Sequence, residues 1–325
     1  MRGYRMSKKI MVTGGAGFIG SHLVDHLMDL GYHVVVIDNL SAGKLEFIKH
    51  WLEHEGFEFH KADLLDESIS DLLKDVYAVF HFAANPEVRI GSQKPEAIWE
   101  NNVLATYNLL EAMRKKEIKY IIFASSSTVY GEASKIPTPE DYAPLEPISV
   151  YGASKLACEA MLSGYAHTFK IRALVLRYAN IIGSRLRHGV IYDFIMKLKK
   201  NPNELEILGD GTQRKSYLHI SDTVKATIHL FNYFEKENKL FDVYNVGNDD
   251  WVTVREIADI VSRAMNLKPK YRFTGGVEGG RGWIGDVKYM LLDISKLRKI
   301  GWEPELSSKE AVEKTAQELV SELLG

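Results

Sequence analysis

Tyr151 and Lys155 stand four residues apart in a stretch of helical patterning, Tyr151-Gly152-Ala153-Ser154-Lys155. That spacing puts a phenol and an ammonium on one helix face. A free tyrosine titrates near pKa ~10, too high for a base at neutral pH, but a neighbouring cation stabilises the phenolate and draws the value down. Such a pair can take the proton of a hydroxyl while the carbon bearing it gives up a hydride. After an apolar run upstream comes Ser125-Ser126-Ser127-Thr128-Val129-Tyr130-Gly131, where Ser126 or Thr128 supplies a hydroxyl to orient the reacting group.

A place for the hydride acceptor is written near the start of the chain. Gly14-Gly15-Ala16-Gly17-Phe18-Ile19-Gly20 follows an apolar segment and precedes Leu23, Leu27, Met28 and Leu30 at helical spacing. Strand, glycine turn and helix N-terminus form a diphosphate cradle, because glycines let the backbone approach and the first helical N–H groups lack internal acceptors. Gly15/Gly17/Gly20 fits G-x-G-x-x-G, Gly14/Gly17/Gly20 fits G-x-x-G-x-x-G, and the letters alone leave both open. The next apolar run ends in Asp38, about 20 residues past the glycines, where a carboxylate accepts hydrogen bonds from ribose hydroxyls and repels a 2′-phosphate. NAD is therefore expected as the cofactor rather than NADP.

The elements that must position these groups are legible as alternation. Apolar runs recur at 78–82, 120–124 and 173–177, separated by helix-patterned segments at 98–116 and 151–169, with a weaker strand candidate at 57–60 just before Asp63 and Leu64. The fold class this predicts is α/β, a doubly wound parallel sheet of Rossmann type with a smaller C-terminal substrate-binding domain. The expected boundaries are 1–180, with later returns near 217–250, and 181–325. Beyond Asn180 the alternation fades into loops at 183–190 and 209–216, with helices near 224–234, 254–265 and 309–324.

Composition excludes other classes. With 46% hydrophobic residues in 325 the chain can bury a large core, and a net charge of −2 with scattered basic residues offers no footprint for nucleic acid or an anionic membrane. Cys158 is the single cysteine, so no intrachain disulfide forms, and no apolar run has the length of a membrane span. A cytoplasmic location is expected. Met1 to Arg5 receive no role. His50 and His54, four apart, lack a third ligand and read as a surface helix rather than a metal pair, and Cys158 reads as a small buried residue.

Cradle, Asp38, Ser/Thr-rich strand end and Tyr-x-x-x-Lys occur in an order that resembles the extended short-chain dehydrogenase/reductase superfamily, and within it the NAD-dependent sugar-nucleotide epimerases similar to UDP-glucose 4-epimerase. The resemblance runs from Ile10 to Trp302. It implies NAD contacts from Gly14, Gly17, Phe18, Ile19, Gly20, Asp38, Asn39, Asp63, Leu64, Phe82, Ala83, Ala84, Asn101, Tyr151 and Tyr178, with Lys155 binding the nicotinamide ribose as well as biasing Tyr151. For the sugar nucleotide it implies Ser126, Asn180 within Arg177-Tyr178-Ala179-Asn180, a phosphate loop at 209–217 containing Arg214 and Lys215, then Arg281 and Met290. Many relatives carry Arg-Asp where this chain has Lys215-Ser216, so Arg214, Lys215 or both hold the diphosphate. Arg281 precedes Asp286 by five residues rather than the commoner three.

Related dehydratases carry acidic residues where Ser127 and Thr128 stand, and decarboxylating relatives place Glu at the Thr128 position. Hydroxyls supply neither acid nor base for elimination at neutral pH. The resemblance then implies reversible oxidation at C4 of a UDP-hexose, UDP-glucose or UDP-galactose, and hydride return to the opposite face. Alternatives are a UDP-N-acetylglucosamine or UDP-uronate 4-epimerase, a net sugar-nucleotide dehydrogenase or reductase, and a non-catalytic NAD-sensing protein. A homodimer through the 98–116 and 151–169 helices is also implied.

Overall fold

The computed structural model describes residues 8–66 and 69–325, so Met1 to Arg5 lie outside it. The chain divides into two compact units. The first gathers the chain through Ser125 with Ala153–Leu176 and Leu230–Val243; the second gathers Ser126–Gly152, Arg177–His229 and Tyr244–Gly325.

The first unit is built on a seven-stranded sheet. In chain order its strands are β1 (Lys9–Thr13), β2 (His33–Asp38), β3 (Phe57–Lys61), β4 (Val76–His81), β5 (Tyr120–Ser126), β6 (Arg172–Tyr178) and β11 (Phe241–Val246). The spatial order is β11-β6-β5-β4-β1-β2-β3, with β1 pairing β2 and β4 in parallel. Strands covered on both faces must be apolar throughout, which is why Ile10 to Val12, Val34 to Ile37 and Ala78 to Phe80 are buried without alternation. The order reverses between β1 and β4, and at such a point ligands bind beyond the carboxyl ends of the strands. Among the described residues no helix is long and apolar enough to cross a membrane.

Two local departures from the expected pattern have physical causes. The continuous helix expected over 98–116 is instead Pro95–Ile98, a π-helical turn Trp99–Leu104 and a helix Ala105–Lys115. Side-chain anchoring accompanies the wide turn. Asn102 at its centre accepts from the Asn85 N–H (2.7 Å) and donates to Ser154 Oγ (2.9 Å). At His50 the expected surface helix is a short 3₁₀ turn, Lys49–Trp51, where His50 Nε2 lies 2.9 Å from Asp25 Oδ1.

Arg172, at the start of β6, ties the end of the Ile220–Lys236 helix within the same unit. Its guanidinium donates to the carbonyls of Phe234 (2.6 Å), Glu235 (3.3 Å), Glu237 (2.5 Å) and Lys239 (2.9 Å) and lies between the rings of Tyr120 and Phe234. A helix C-terminus leaves carbonyls without internal donors, and a cation there also opposes the helix dipole.

The second unit carries small sheets on longer helices. β7 (Asn180–Ile182) pairs β10 (Tyr217–His219), β8 (Glu204–Ile207) pairs β13 (Lys270–Phe273), and β9 (Arg214–Lys215) lies between β12 (Val252–Thr253) and β14 (Tyr289–Met290). Full capping boxes, Thr253 with Glu256 and Ser307 with Glu310, start the Val254–Ala264 and Ser308–Leu324 helices. Replacing Arg172 by Gln strands several helix-end carbonyls and should lower unfolding free energy by about 2–4 kcal/mol. An unchanged thermal midpoint would show that water replaces the guanidinium at no cost.

Candidate active site

Sterics give the glycines of the two overlapping patterns different neighbours. Gly14 has φ +70°, and a Cβ on it would lie 2.7 Å from the Ala83 nitrogen; a Cβ on Gly20 would lie 2.1 Å from the Gly14 carbonyl oxygen. A Cβ on Gly15 would run into Val36 of β2, so that glycine serves helix and strand packing. Gly14 and Gly20 thus keep the turn's own backbone clear, Gly15 keeps it against β2, and Gly17 meets only the Gly14 carbonyl oxygen, at 3.1 Å. Gly17 caps the Phe18–Asp29 helix in extended conformation with no side chain satisfying the first turn, leaving the N–H groups of Phe18 and Ile19 to an external acceptor.

Asp38 ends β2 at 7% exposure and accepts from the N–H groups of Ala16 (2.9 Å) and Leu40 (2.8 Å). Burial raises its pKa, against those two bonds. Asn39 Nδ2 donates to Asp63 Oδ2 (2.8 Å), joining the residues that follow β2 and β3. Phe82 and Ala83 leave β4 with their N–H groups on the Thr13 carbonyl (3.1 Å) and Thr13 Oγ1 (3.3 Å). Leu64 is buried in the core, and Asn101 donates to the Ala97 carbonyl. A glycine-rich turn leading into a helix start with no side-chain cap, beside a carboxylate at the end of the next strand, fits a dinucleotide with an unphosphorylated ribose.

The Val150–Phe169 helix carries Tyr151 and Lys155 one turn apart. Lys155 is 3% exposed; its Nζ donates to the Ala124 carbonyl (2.8 Å) and lies 4.9 Å from the Phe123 ring centroid. Burial lowers its pKa to about 8, opposed by the neighbouring Cys158 and Glu159 side chains. Cys158 is fully buried, its thiol pKa pushed up by burial.

Ser126 ends β5 and caps a 3₁₀ turn, Ser127–Tyr130. Its Oγ accepts from the Thr128 N–H (3.2 Å) and Thr128 Oγ1–H (3.0 Å). A hydroxyl has one proton and two lone pairs, so Ser126 keeps its proton to donate and Thr128 keeps lone pairs to accept.

In the second unit, strand parity separates Arg214 from Lys215. Neighbouring residues of β9 point to opposite faces. Lys215 registers with Val252 and Met290; Arg214 registers with Thr253 and Tyr289 and lies over the rings of Trp251 (4.7 Å) and Tyr289 (5.2 Å). Lys215 Nζ meets Asp286 Oδ1 at 2.5 Å and faces Trp283. Arg281 bonds Glu132 (2.6 Å) and the Asp286 carbonyl (2.9 Å). Asn180 donates to the Ser216 carbonyl, and the Ser216 N–H reaches the Met290 carbonyl, so Asn180 and Met290 both bond the residue next to Lys215, and Arg214 lies on the other face of the strand. Tyr178 places its hydroxyl on Thr227 (2.7 Å). The pairings of Lys215 with Asp286 and of Arg281 with Glu132 escaped the sequence reading because the partners are distant in the chain.

A parallel sheet that reverses its strand order beside a diphosphate cradle places the molecule among dinucleotide-binding α/β proteins. Residues 10–247 match the NAD dependent epimerase/dehydratase family, and the chain belongs to it: it is an NAD-dependent enzyme of the epimerase type. A solved UDP-galactose 4-epimerase is 52% identical, with 97% of this chain and 99% of that one covered at a TM-score of 0.88. The UDP-glucose 4-epimerase of Streptomyces lividans is 32% identical over 278 residues, 79% of this chain and 81% of its own length. A UDP-N-acetylglucosamine 4-epimerase from Methanobrevibacter ruminantium M1, solved with UDP-N-acetylmuramic acid, is 32% identical, with 98% and 99% covered and a TM-score of 0.85.

Gly17→Ala separates cofactor approach from folding better than Gly14→Ala, because its Cβ makes one tight contact, 3.1 Å to the Gly14 carbonyl oxygen, which a shift of a few tenths of an ångström relieves. It should leave cofactor-free stability within about 1 kcal/mol but abolish NAD retention, whereas Gly14→Ala should lose both. Retention of NAD by Gly17→Ala would place the diphosphate elsewhere.

Proposed function

We propose that this enzyme interconverts UDP-glucose and UDP-galactose by epimerisation at C4. The observation that carries the reading is the 52% identity, over nearly the whole of both chains, to a UDP-galactose 4-epimerase. When bound, NAD supplies a hydride acceptor that returns the hydride within the same turnover. Tyr151 takes the proton of the 4-hydroxyl at its phenolic oxygen and gives it back after the keto sugar has turned over. Lys155, one helical turn away, favours the phenolate while its own charge persists. Ser126 donates to the sugar oxygen and Thr128 accepts, which holds the hydroxyl in one orientation through both half-reactions.

The sugar must turn without leaving, so its diphosphate needs an anchor independent of the ring. Lys215 is the proposed anchor, since it shares the face of β14's Met290 and adjoins Ser216, which Asn180 bonds, and Arg281 stands near through Asp286. No carboxylate stands at 126–128, so elimination lacks its acid and base. A UDP-N-acetylhexosamine is the second reading, supported by the likeness to the Methanobrevibacter enzyme and by the flexible side chain of Met290, 8% exposed, beside the anchor.

A panel of nucleotide sugars, followed by separation of C4 epimers, tests the assignment. UDP-glucose and UDP-galactose should interconvert without accumulation of reduced nicotinamide, and stoichiometric reduction would make the enzyme a net dehydrogenase. Tyr151→Phe should retain NAD and lose turnover by about 10²–10⁴-fold; undiminished turnover removes Tyr151 from the chemistry. Lys215→Met should raise KM by roughly tenfold or more, and Arg214→Met by less than about twofold.

A further inference from the structure

β4 ends in a histidine that the proposed chemistry does not use. We propose that His81 is a positioning residue: as the Nε2–H tautomer it completes a one-way chain of hydrogen bonds that sets where Ala83 stands against the cradle glycine Gly14. The inference rests on reading that cradle as the NAD site.

Counting protons gives the direction of the chain. Thr106 Oγ1 donates its one proton to the Asn102 carbonyl at 2.6 Å. At its 2.9 Å contact with His81 Nε2 the same oxygen must therefore accept, so Nε2 carries hydrogen. His81 is 1% exposed and stacks near the Phe123 ring of β5; burial, and next the Lys155 charge, lower its pKa to about 3. A neutral ring has a single N–H, which leaves Nδ1 bare to accept from Thr13 Oγ1–H at 2.7 Å. With its proton spent, Thr13 Oγ1 accepts the Ala83 N–H. The titratable groups on this side are Lys155 and Cys158 of the Val150–Phe169 helix, the latter 3.5 Å from Thr106 Oγ1.

Each member has one donor and one acceptor committed, so none can be reversed alone. The chain begins at the backbone that a Gly14 Cβ would strike and ends at Asn102, beside Asn101 and bonded to Ser154 next to Lys155. A few tenths of an ångström at Ala83 would narrow the cradle. A cationic His81 would donate from both nitrogens and leave the Thr13 proton without an acceptor.

The imidazole of the NAD-loaded wild type, labelled with ¹⁵N, should show protonated Nε2 and bare Nδ1, unchanged between about pH 5 and 8. A protonated Nδ1, or titration in that range, overturns the proposal even if no variant folds. His81→Phe and Thr106→Val should release NAD roughly tenfold faster or more, with the sugar KM of the loaded fraction unchanged. His81→Gln, which keeps a donor for Thr106, should restore part of the loss. Wild-type release from both His81→Phe and Thr106→Val, while Asp38→Ala loses NAD, refutes the role of His81 and spares the cradle. If Asp38→Ala also holds NAD as the wild type does, the reading of the cradle falls, and the role of His81 with it.

Discussion

A buried ammonium is the constraint on which the chemistry depends. Removing a charge from water is costly, and Lys155 at 3% exposure bears that cost with the Ala124 carbonyl, the Phe123 ring face and the nearby carboxyl of Glu159 in partial return. The carbonyl belongs to Ala124 of β5, and the ring to Phe123 beside it. Only a formed sheet and a docked Val150–Phe169 helix bring them together. A lysine in water would do little for a phenol one turn away; a desolvated one acts through a weakly screening medium.

Backbone supplies most of the remaining recognition, and side chains set its limits. In the first unit the cradle excludes every Cβ at Gly14 and Gly20, while Asp38 sets a carboxylate against the same turn. In the second unit a carboxylate, Asp286, holds Lys215 and draws Arg281 through its carbonyl, so two cations share one small region without repelling each other apart. Ser126 and Thr128 divide a donor and an acceptor between them. Neutral hydroxyls serve a reaction that must run equally well in both directions.

Much of this was legible in the letters. Parallel strands buried on both faces read as apolar runs, which exposes β1, β2, β4, β5 and β6; their spatial order was not read, because right-handed crossovers fix the hand of each connection but not where the winding reverses. β11, Phe-Asp-Val-Tyr-Asn-Val, mixes polar residues and takes its place through tertiary contact, so no periodicity announces it. The sequence reading has a loop at 183–190 and no element after it, where the structure has the Gly189–Lys200 helix; Gly183 and Gly189 punctuate its approach. The π turn at Trp99–Leu104 inserts no unusual residue type and is invisible to a 3.6-residue period. Arg214 and Lys215 could not be told apart, since a two-residue strand has parity but no pattern until its neighbours are known. His81 hid as one polar letter in an apolar run.

The dependence of turnover on pH with the ammonium removed tests most directly whether Lys155 makes Tyr151 a base. Lys155→Met, assayed as kcat on UDP-galactose in enzyme loaded with NAD, should be slow near neutrality and gain rate as pH climbs toward the ordinary phenol range of ~10. The sign follows from charge: without a cation nearby, the phenolate forms only at higher pH. A variant that keeps the wild-type pH profile, at whatever rate, would contradict the claim that Lys155 makes Tyr151 a base.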